Sequence, residues 1–447
     1  MRSWGRAMRY GIRATLLVLV YLAVAIAPLP LNLIQLDPSR GFVINFSVAL
    51  GFVGLSVLTL QFVLAARIRT VTAPYGIDRV LQFHREITYV AIGLVLLHPI
   101  LLFVFDSRFV PLLNVLHSPL RAKFAVASIV ALLVLFITSI WRRRFGMSYE
   151  AWQLMHSVLA VVVVITGLLH ALLVGYYISQ PWEKGLWVVM TAGLVWLGIW
   201  TRIVQPMQRL RHKWRVLDVV PEPNRSYTVT VAPESPPPEP FSFRPGQFAW
   251  LLTANSNPFA LTYHPFSISS SAEDTSRVSF TIKETGDFTG EIAKLQSGDL
   301  VYVDGPWGEF TMDRHEGPGF VFIAGGIGVT PMLSMLKTLA DRDDRRPCWL
   351  FLGNHDQESV ACQSELDPLT TRLDLKVVHA FSHPRPGWSG ETGHLRAEIL
   401  DRHLPERRTR LQYFICGSPP MMRAAEDALA HLGIPHEQIH VERFAMV

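Results

Sequence analysis

Residues 84–98, HREITYVAIGLVLLH, and residues 156–170, HSVLAVVVVITGLLH, each open and close on histidine at the same interval. In a helix rising about 1.5 Å per residue that interval spans roughly 21 Å and nearly four turns, so both histidines of a pair face one way at different depths. Two helices patterned like this could clamp two stacked haems, because each iron takes two axial imidazoles. A single histidine in an apolar helix is commonly just a hydrogen-bonded side chain. The repeated spacing favours the ligand reading and makes His84, His98, His156 and His170 the candidate metal ligands. No Cys-x-x-Cys-His segment is present, so such haems would be non-covalent b-type groups. Gly93 and Gly167 lie along the same helices, where a missing side chain admits either a flat macrocycle or a neighbouring helix.

Half of the 447 residues are hydrophobic and 17% are charged, with the apolar content concentrated in the first half. That distribution predicts an integral membrane protein with a soluble extension. Six spans are expected, at 14–31, 42–66, 84–105, 124–140, 152–176 and 186–203. The first resembles a signal peptide, but no small-residue cleavage site follows it and the run continues through Pro28 and Pro30. Loops on the N-terminal side carry sixteen Lys and Arg residues, including Arg142, Arg143 and Arg144; the opposite loops carry five, Arg40, Arg108, Arg121, Lys123 and Lys184. The imbalance predicts that both termini are cytoplasmic. His84 and His156 then lie at the inner level and His98 and His170 at the outer level. The net charge of +5 follows from this topology, with no groove-facing basic stripe of the kind that binds nucleic acid. Arg79, Arg85 and Arg144 inside, and Arg40, Arg121 and Lys123 outside, are candidate partners for haem propionates. His117 and His212 read as surface and interfacial residues. Cys348, Cys362 and Cys416 imply neither a disulfide framework nor a Cys-x-x-Cys metal site.

Past Arg215 the composition turns to strands, glycine and proline. Arg244-Pro245-Gly246-Gln247-Phe248, His264-Pro265-Phe266-Ser267-Ile268-Ser269, Lys283 through Gly286-Asp287-Phe288-Thr289 and Asp304-Gly305-Pro306-Trp307-Gly308 follow in order. Short strands with such turns predict an antiparallel β-barrel. An aromatic ring followed by hydroxyls at a strand end can stack on a flavin and bond its edge, and a glycine turn can offer N–H groups to a pyrophosphate. The candidate flavin contacts are His264, Pro265, Phe266, Ser267, Ser269, Lys283, Gly286 and Thr289. Next, a buried strand at 319–324 runs into Gly325-Gly326-Ile327-Gly328-Val329-Thr330-Pro331 and an apolar helix. Strand, glycine turn and helix bring a helix N-terminus against a dinucleotide phosphate, although the spacing is not G-x-G-x-x-G. Further strands at 348–352, 375–380 and 412–415, the last leading into Cys416-Gly417-Ser418-Pro419, predict a parallel-sheet α/β domain. The expected organisation is a multi-domain membrane protein: a six-helix transmembrane bundle over 1–212, an antiparallel β-barrel FAD domain over 213–314 and an α/β nucleotide domain over 315–447.

From residue 10 onward these motifs, in this order, resemble the superfamily of transmembrane ferric reductases and NADPH oxidases. The resemblance implies that His84, His98, His156 and His170 hold two b-type haems, that Phe266 stacks on FAD and that Ser267 lies near the flavin N5. It implies that Gly325, Gly326, Gly328, Thr330 and Pro331 form the turn for NADH or NADPH, that Cys416 and Gly417 lie on the nicotinamide side, and that Phe444 covers the flavin. Ser267, Cys416 and Phe444 are the catalytic candidates so implied. Electrons from cytoplasmic NAD(P)H would pass through FAD and the inner and outer haems to a small acceptor on the far side, a ferric chelate or dioxygen.

Departures from the family pattern bear on both substrates. Leu102 stands where oxygen-reducing members carry a further histidine, which disfavours a dedicated superoxide generator. His355 follows Gly353-Asn354 where many members place an arginine for a ribose 2′-phosphate, and Asp356 would repel such a phosphate and suit ribose hydroxyls. NADH is therefore expected to serve at least as well as NADPH, with acid pH favouring NADPH through His355 and Arg385 as an alternative reader. With no EF-hand loop or long N-terminal regulatory segment, donor supply is expected to set activity. Two other readings stay open: an electron-supply subunit serving a partner protein, and a transporter fused to a regulatory nucleotide-binding module.

Overall fold

The computed structural model describes residues 2–33, 41–66, 68–72, 74–210, 212–235, 240–253 and 264–443. It divides into two compact units, one built on the chain up to Met207 and the other on the chain from Gln208 onward.

In the first unit, α1 (Arg2–Ile26), α2 (Phe42–Ala65), α3 (Ile77–Phe105), α4 (Leu120–Trp141), α5 (Tyr149–Val174) and α6 (Pro181–Ile199) are the long helices. Among the described residues five segments are long and apolar enough to cross a membrane: Ile12–Pro30, Phe42–Ala65, Arg79–Phe105, Leu120–Trp141 and Ala151–Val174. The expected sixth span lies on α6, a helix that carries Glu183 and Lys184 in its first turn and is not among these five. Local chemistry sets the ends of α5. Ser148 Oγ accepts the Ala151 N–H at 3.2 Å before its first turn, and Gly175 at φ 67° closes its last. Inside α3, Pro99 directly follows His98 and lacks the N–H that would continue the helical ladder. Ala91, Ile92, Val57, Leu132, Val163 and Val164 form the buried centre of the unit.

The second unit holds two sheets. The first contains β1 (Trp214–Glu222), β2 (Ser226–Pro233), β3 (Phe248–Thr253), β4 (His264–Ser267), β5 (Val278–Lys283) and β6 (Leu300–Trp307), in the order β4-β3-β6-β1-β2-β5 with every pair antiparallel. Its edges meet just past β4, where Ile268 bridges Phe280 and the Ser269 N–H bonds Ser279 O at 2.8 Å. A short helix, α7 (Asp287–Ile292), follows β5.

The second sheet contains β7 (Phe320–Gly325), β8 (Cys348–Asn354), β9 (Leu375–Phe381), β10 (Glu391–Thr392), β11 (Gln412–Cys416) and β12 (Ile439–Glu442), all parallel, in the order β10-β9-β8-β7-β11-β12. Side-chain alternation along β7 explains its burial on both faces. Phe320, Phe322 and Ala324 pack on α8 (Val329–Asp341) and α9 (Gln363–Arg372), while Val321 and Ile323 pack on α10 (Ala397–His403) and α11 (Pro419–His431). Strand order reverses between β7 and β11, and a ligand crevice forms where the strand ends at such a switch point diverge. The two sheets are bonded together through α8: Ser334 Oγ donates to Ser270 O at 2.8 Å, and the Ala272 N–H donates to Thr338 Oγ1 at 2.9 Å.

Candidate functional site

Helices α3 and α5 bring His84 and His156 face to face, with ring centroids 6.5 Å apart and planes inclined by 55°. Two imidazoles sharing one metal ion through bonds of about 2 Å stand with ring centres roughly 6 to 6.5 Å apart, so the spacing fits a bis-histidine iron. Hydrogen bonds around the rings select the tautomer. His170 Nδ1 lies 2.9 Å from Arg121 O, a group that only accepts, so Nδ1 carries the proton and Nε2 the lone pair. Ser139 gives its hydroxyl proton to Leu135 O at 2.6 Å, which leaves its oxygen to accept from His156 Nδ1 at 3.2 Å. His98 Nδ1 donates to Ser47 O at 2.9 Å. A metal-ligating histidine typically donates its other ring N–H in this way. His84 differs, because its Nδ1 is buried and has no hydrogen-bond partner among the described residues.

The two glycines of these helices behave differently. A Cβ at Gly167 would lie 3.0 Å from Leu55 Cδ1, so this residue packs helices; one at Gly93 would meet nothing within 4 Å. Arg142, which entered the sequence reading only through the loop charges, stacks over Tyr149 and Trp152 at 5.2 and 5.6 Å, and the Trp152 ring lies 5.2 Å from that of His156. Cation–π pairs between one loop and the next helix have no sequence periodicity to announce them.

On the antiparallel sheet, β4 presents the candidate flavin residues beside the α7 turn. The His264 ring stacks on Phe288 at 4.3 Å, and Phe266 lies nearly parallel to Phe288 at 6.1 Å. Ser267 Oγ is buried and has no partner among the described residues, which fits a ligand bonding at this strand end. Ser269 is committed elsewhere: its oxygen accepts from Thr281 Oγ1 at 3.1 Å, which is bonded in turn to Thr228 Oγ1 at 2.9 Å. Lys283 ends β5 opposite Ser226. At the glycine turn, Thr289 Oγ1 accepts the N–H groups of Thr285 and Gly286 at 2.8 and 2.9 Å. An anion here would therefore meet the first amides of α7, which have no intrahelical acceptor.

At the switch point the two nucleotide motifs cross at backbone distance. A Cβ on Gly328 would stand 2.3 Å from Cys416 O and 2.9 Å from Gly417 Cα, and one on Gly417 would stand 3.1 Å from Gly325 N. The site thus joins Gly325, Gly328, Cys416 and Gly417, with Met421 Cε packed 3.0 Å from the position a Gly325 Cβ would take. Gly326 takes the left-handed φ of 54° that the turn needs. Thr330 Oγ1 donates back to Ile327 O at 3.0 Å, and Pro331 is buried in the first turn of α8. Burial raises the Cys416 thiol well above the usual cysteine range, so this residue is a neutral group packed in the core beneath the switch point. Phe444 lies outside the described residues.

Beyond β8, one oxygen of the Asp356 carboxylate accepts the Ser359 N–H at 2.9 Å and caps the following turn. Ends of β8 and β9 adjoin: the His355 and His383 rings lie 4.2 Å apart, the His383 N–H donates to His355 O at 2.8 Å, and Arg385 pairs with Glu358.

Three domain families match the chain in order: ferric reductase like transmembrane component over residues 50–167, FAD-binding domain over 224–311 and oxidoreductase NAD-binding domain over 322–427. NADH-cytochrome b5 reductase 1 of Dictyostelium discoideum is 30% identical over 181 residues, which is 40% of this chain and 63% of that protein. The stachydrine N-demethylase reductase subunit Stc4 of Rhizobium meliloti (strain 1021) is 30% identical over 230 residues, 50% of this chain and 64% of that protein. The chain spans less than two thirds of the length of these curated relatives. Among solved structures, a ferredoxin reductase in carbazole 1,9a-dioxygenase aligns at a TM-score of 0.46 and 22% identity over 52% of this chain and 69% of that one. Taken in chain order, the three matches identify a ferric reductase-like transmembrane domain fused to a ferredoxin-NADP reductase-like pair of FAD-binding and NAD-binding domains.

Proposed function

We propose that the chain is an NAD(P)H-dependent oxidoreductase that moves electrons across a membrane to a small acceptor, a ferric chelate or dioxygen. FAD would convert the two-electron donor to single electrons and two b-type haems would carry these through the lipid. The observation that carries the reading is the facing pair His84 and His156 at metal-sharing distance, fused to an FAD/NAD-binding unit.

In this reading the residues divide by task. His84 with His156, and His98 with His170, would hold the haems at the inner and outer levels, and a haem held by two protein histidines would pass electrons to the acceptor without binding it. The six-stranded antiparallel sheet closes as a barrel whose β4 end seats the flavin: Phe266 and the His264–Phe288 stack support its ring, Ser267 offers a hydroxyl to its edge, and Ser269, Lys283, Gly286 and Thr289 shape the surroundings. Gly325, Gly326, Gly328, Thr330 and Pro331 would receive the dinucleotide phosphates, Cys416 and Gly417 would lie on the nicotinamide side, and Phe444 is proposed as the aromatic that covers the flavin. α6 completes six helices, and the basic loops hold both termini and the dehydrogenase unit on the cytoplasmic side.

A visible spectrum of the purified protein, before and after anaerobic NADH or NADPH, tests this. A Soret band that shifts on donor addition is expected; no haem absorption would overturn it. A second reading, an electron-supply subunit for a partner protein, draws on the reductase-subunit relative. Co-purification of a stoichiometric partner, with little reduction of small acceptors, would favour it.

A further inference from the structure

We propose that Ser47 and Gly51 of α2 form a seat that fixes the imidazole of His98, making both positioning residues for the ligand role proposed above, on which this inference rests. Ser47 is fully buried in a membrane helix. Its hydroxyl lies 2.8 Å from His98 O and 3.0 Å from His98 Nδ1, and its carbonyl oxygen lies 2.9 Å from the same nitrogen. The single hydroxyl proton goes to the carbonyl, which can only accept. Nδ1–H is then shared between the hydroxyl and carbonyl oxygens of one residue.

Thr59, Thr88, Thr138, Ser139, Ser157 and Thr166 all bond the carbonyl one turn back in their own helix. Ser47 instead reaches across to α3 and clasps backbone and ring together. Ser56 and Ser128 likewise reach another helix, bonding Val24 O at 3.0 Å and Val163 O at 2.9 Å, but each engages a carbonyl and no ring. One turn further along α2, Gly51 lies under the ring: a Cβ there would stand 3.2, 3.3 and 3.4 Å from Cγ, Cδ2 and Nδ1 of His98. A Cβ at 51 would press on the imidazole, and the ring or the helix would have to give by a few tenths of an ångström.

Donation from Nδ1–H to an oxygen raises the basicity of Nε2 and fixes the ring plane. Among the four histidines this support is graded. His98 Nδ1 has the shared clasp, His170 Nδ1 bonds a carbonyl, His156 Nδ1 lies 3.2 Å from a hydroxyl, and His84 Nδ1 has no partner among the described residues. A more basic ligand favours the oxidised metal, so Ser47 lowers the midpoint potential of the site it serves.

The test uses the full chain purified with its haems, carrying Ser47→Ala, Ser47→Thr or Gly51→Ala. Readouts are haem content, redox titration and low-spin electron paramagnetic resonance. Ser47→Ala is expected to move one of two midpoints to more positive potential, or to lose one haem, while the other is unchanged. Gly51→Ala is expected to shift the largest g-value of one haem, and Ser47→Thr, which keeps the hydroxyl, to match the parent. If Ser47→Ala fails to fold, Gly51→Ala and Ser47→Thr decide the matter. Two haems with unaltered midpoints and g-values in Ser47→Ala and Gly51→Ala would overturn the seat and leave the functional reading intact. A parent protein without haem would overturn that reading and the seat with it.

Discussion

The ring of Phe288 lies against that of His264, centroids 4.3 Å apart and planes inclined by 21°, so one aromatic stack fastens the α7 turn to strand β4. Aromatic pairs contribute about 0.5–1.5 kcal/mol beyond the area they bury. Phe288→Ala should release the turn and weaken FAD binding by roughly tenfold. It should leave the donor site at Gly325–Gly328 intact. FAD-to-protein ratio after gel filtration, followed by titration with added FAD, measures this; unchanged retention would make the stack a surface ornament.

Gly326 and Gly328, two residues apart, separate backbone strain from close approach at the nucleotide turn. Gly328→Ala puts a Cβ 2.3 Å from Cys416 O and should destabilise the unit by about 1–3 kcal/mol while raising the donor KM more than tenfold. Gly326→Ala meets no neighbour within 4 Å and pays only for its φ of 54°, about 1–2 kcal/mol. Thermal unfolding and steady-state kinetics of both variants check the ordering, which an equal loss in each would reverse.

Acid should loosen the last strand. The His315 and His440 rings stack at 3.6 Å beside Phe414, with His440 Nε2 2.9 Å from Gln412 Oε1. Burial, and then the neighbouring charge, lowers His315 to about 4 and His440 to about 3. In the unfolded chain both titrate near 6.5, so between that pH and about 4 the unfolded state binds more protons, and stability falls as pH falls through this window. Thermal unfolding at pH 7.5 and pH 5 should differ by several degrees more in the parent than in His440→Gln. Identical pH dependence in the two would refute the coupling.

Donor choice should respond to a single ion pair. Arg385 stands at the β9 end beside His355 and His383 but is held by Glu358. Glu358→Gln should free the guanidinium for a ribose 2′-phosphate and raise the NADPH-to-NADH ratio of kcat/KM several-fold, and Arg385→Ala should lower it. Ratios that ignore both variants would remove Arg385 from donor recognition.

Much of this could be read without coordinates because it rests on local pattern. Matched histidine intervals fall on α3 and α5, and short apolar runs between turns and helices become β7, β8, β9 and β11. The missed features depend on partners distant in sequence. Ser47 is 51 residues from His98, and β12 is four half-buried residues recognisable only by lying beside β11. The capping role of Asp356 is not foreseeable, because a carboxylate near a strand end suits a ribose and a turn cap equally, and only the Ser359 N–H reveals the cap. The first turn of α6, with Glu183 buried beside its cap, sets this helix apart from the five apolar segments.

The bonds from Ser334 to Ser270 and from Thr338 to Ala272 have a thermodynamic consequence. Ser334 and Thr338 are both fully buried, so the helix launched by the nucleotide turn cannot part from the flavin sheet without stranding hydroxyls in an apolar interior. The dehydrogenase half should therefore melt in one cooperative step, and occupancy by either nucleotide should protect both sheets from denaturant.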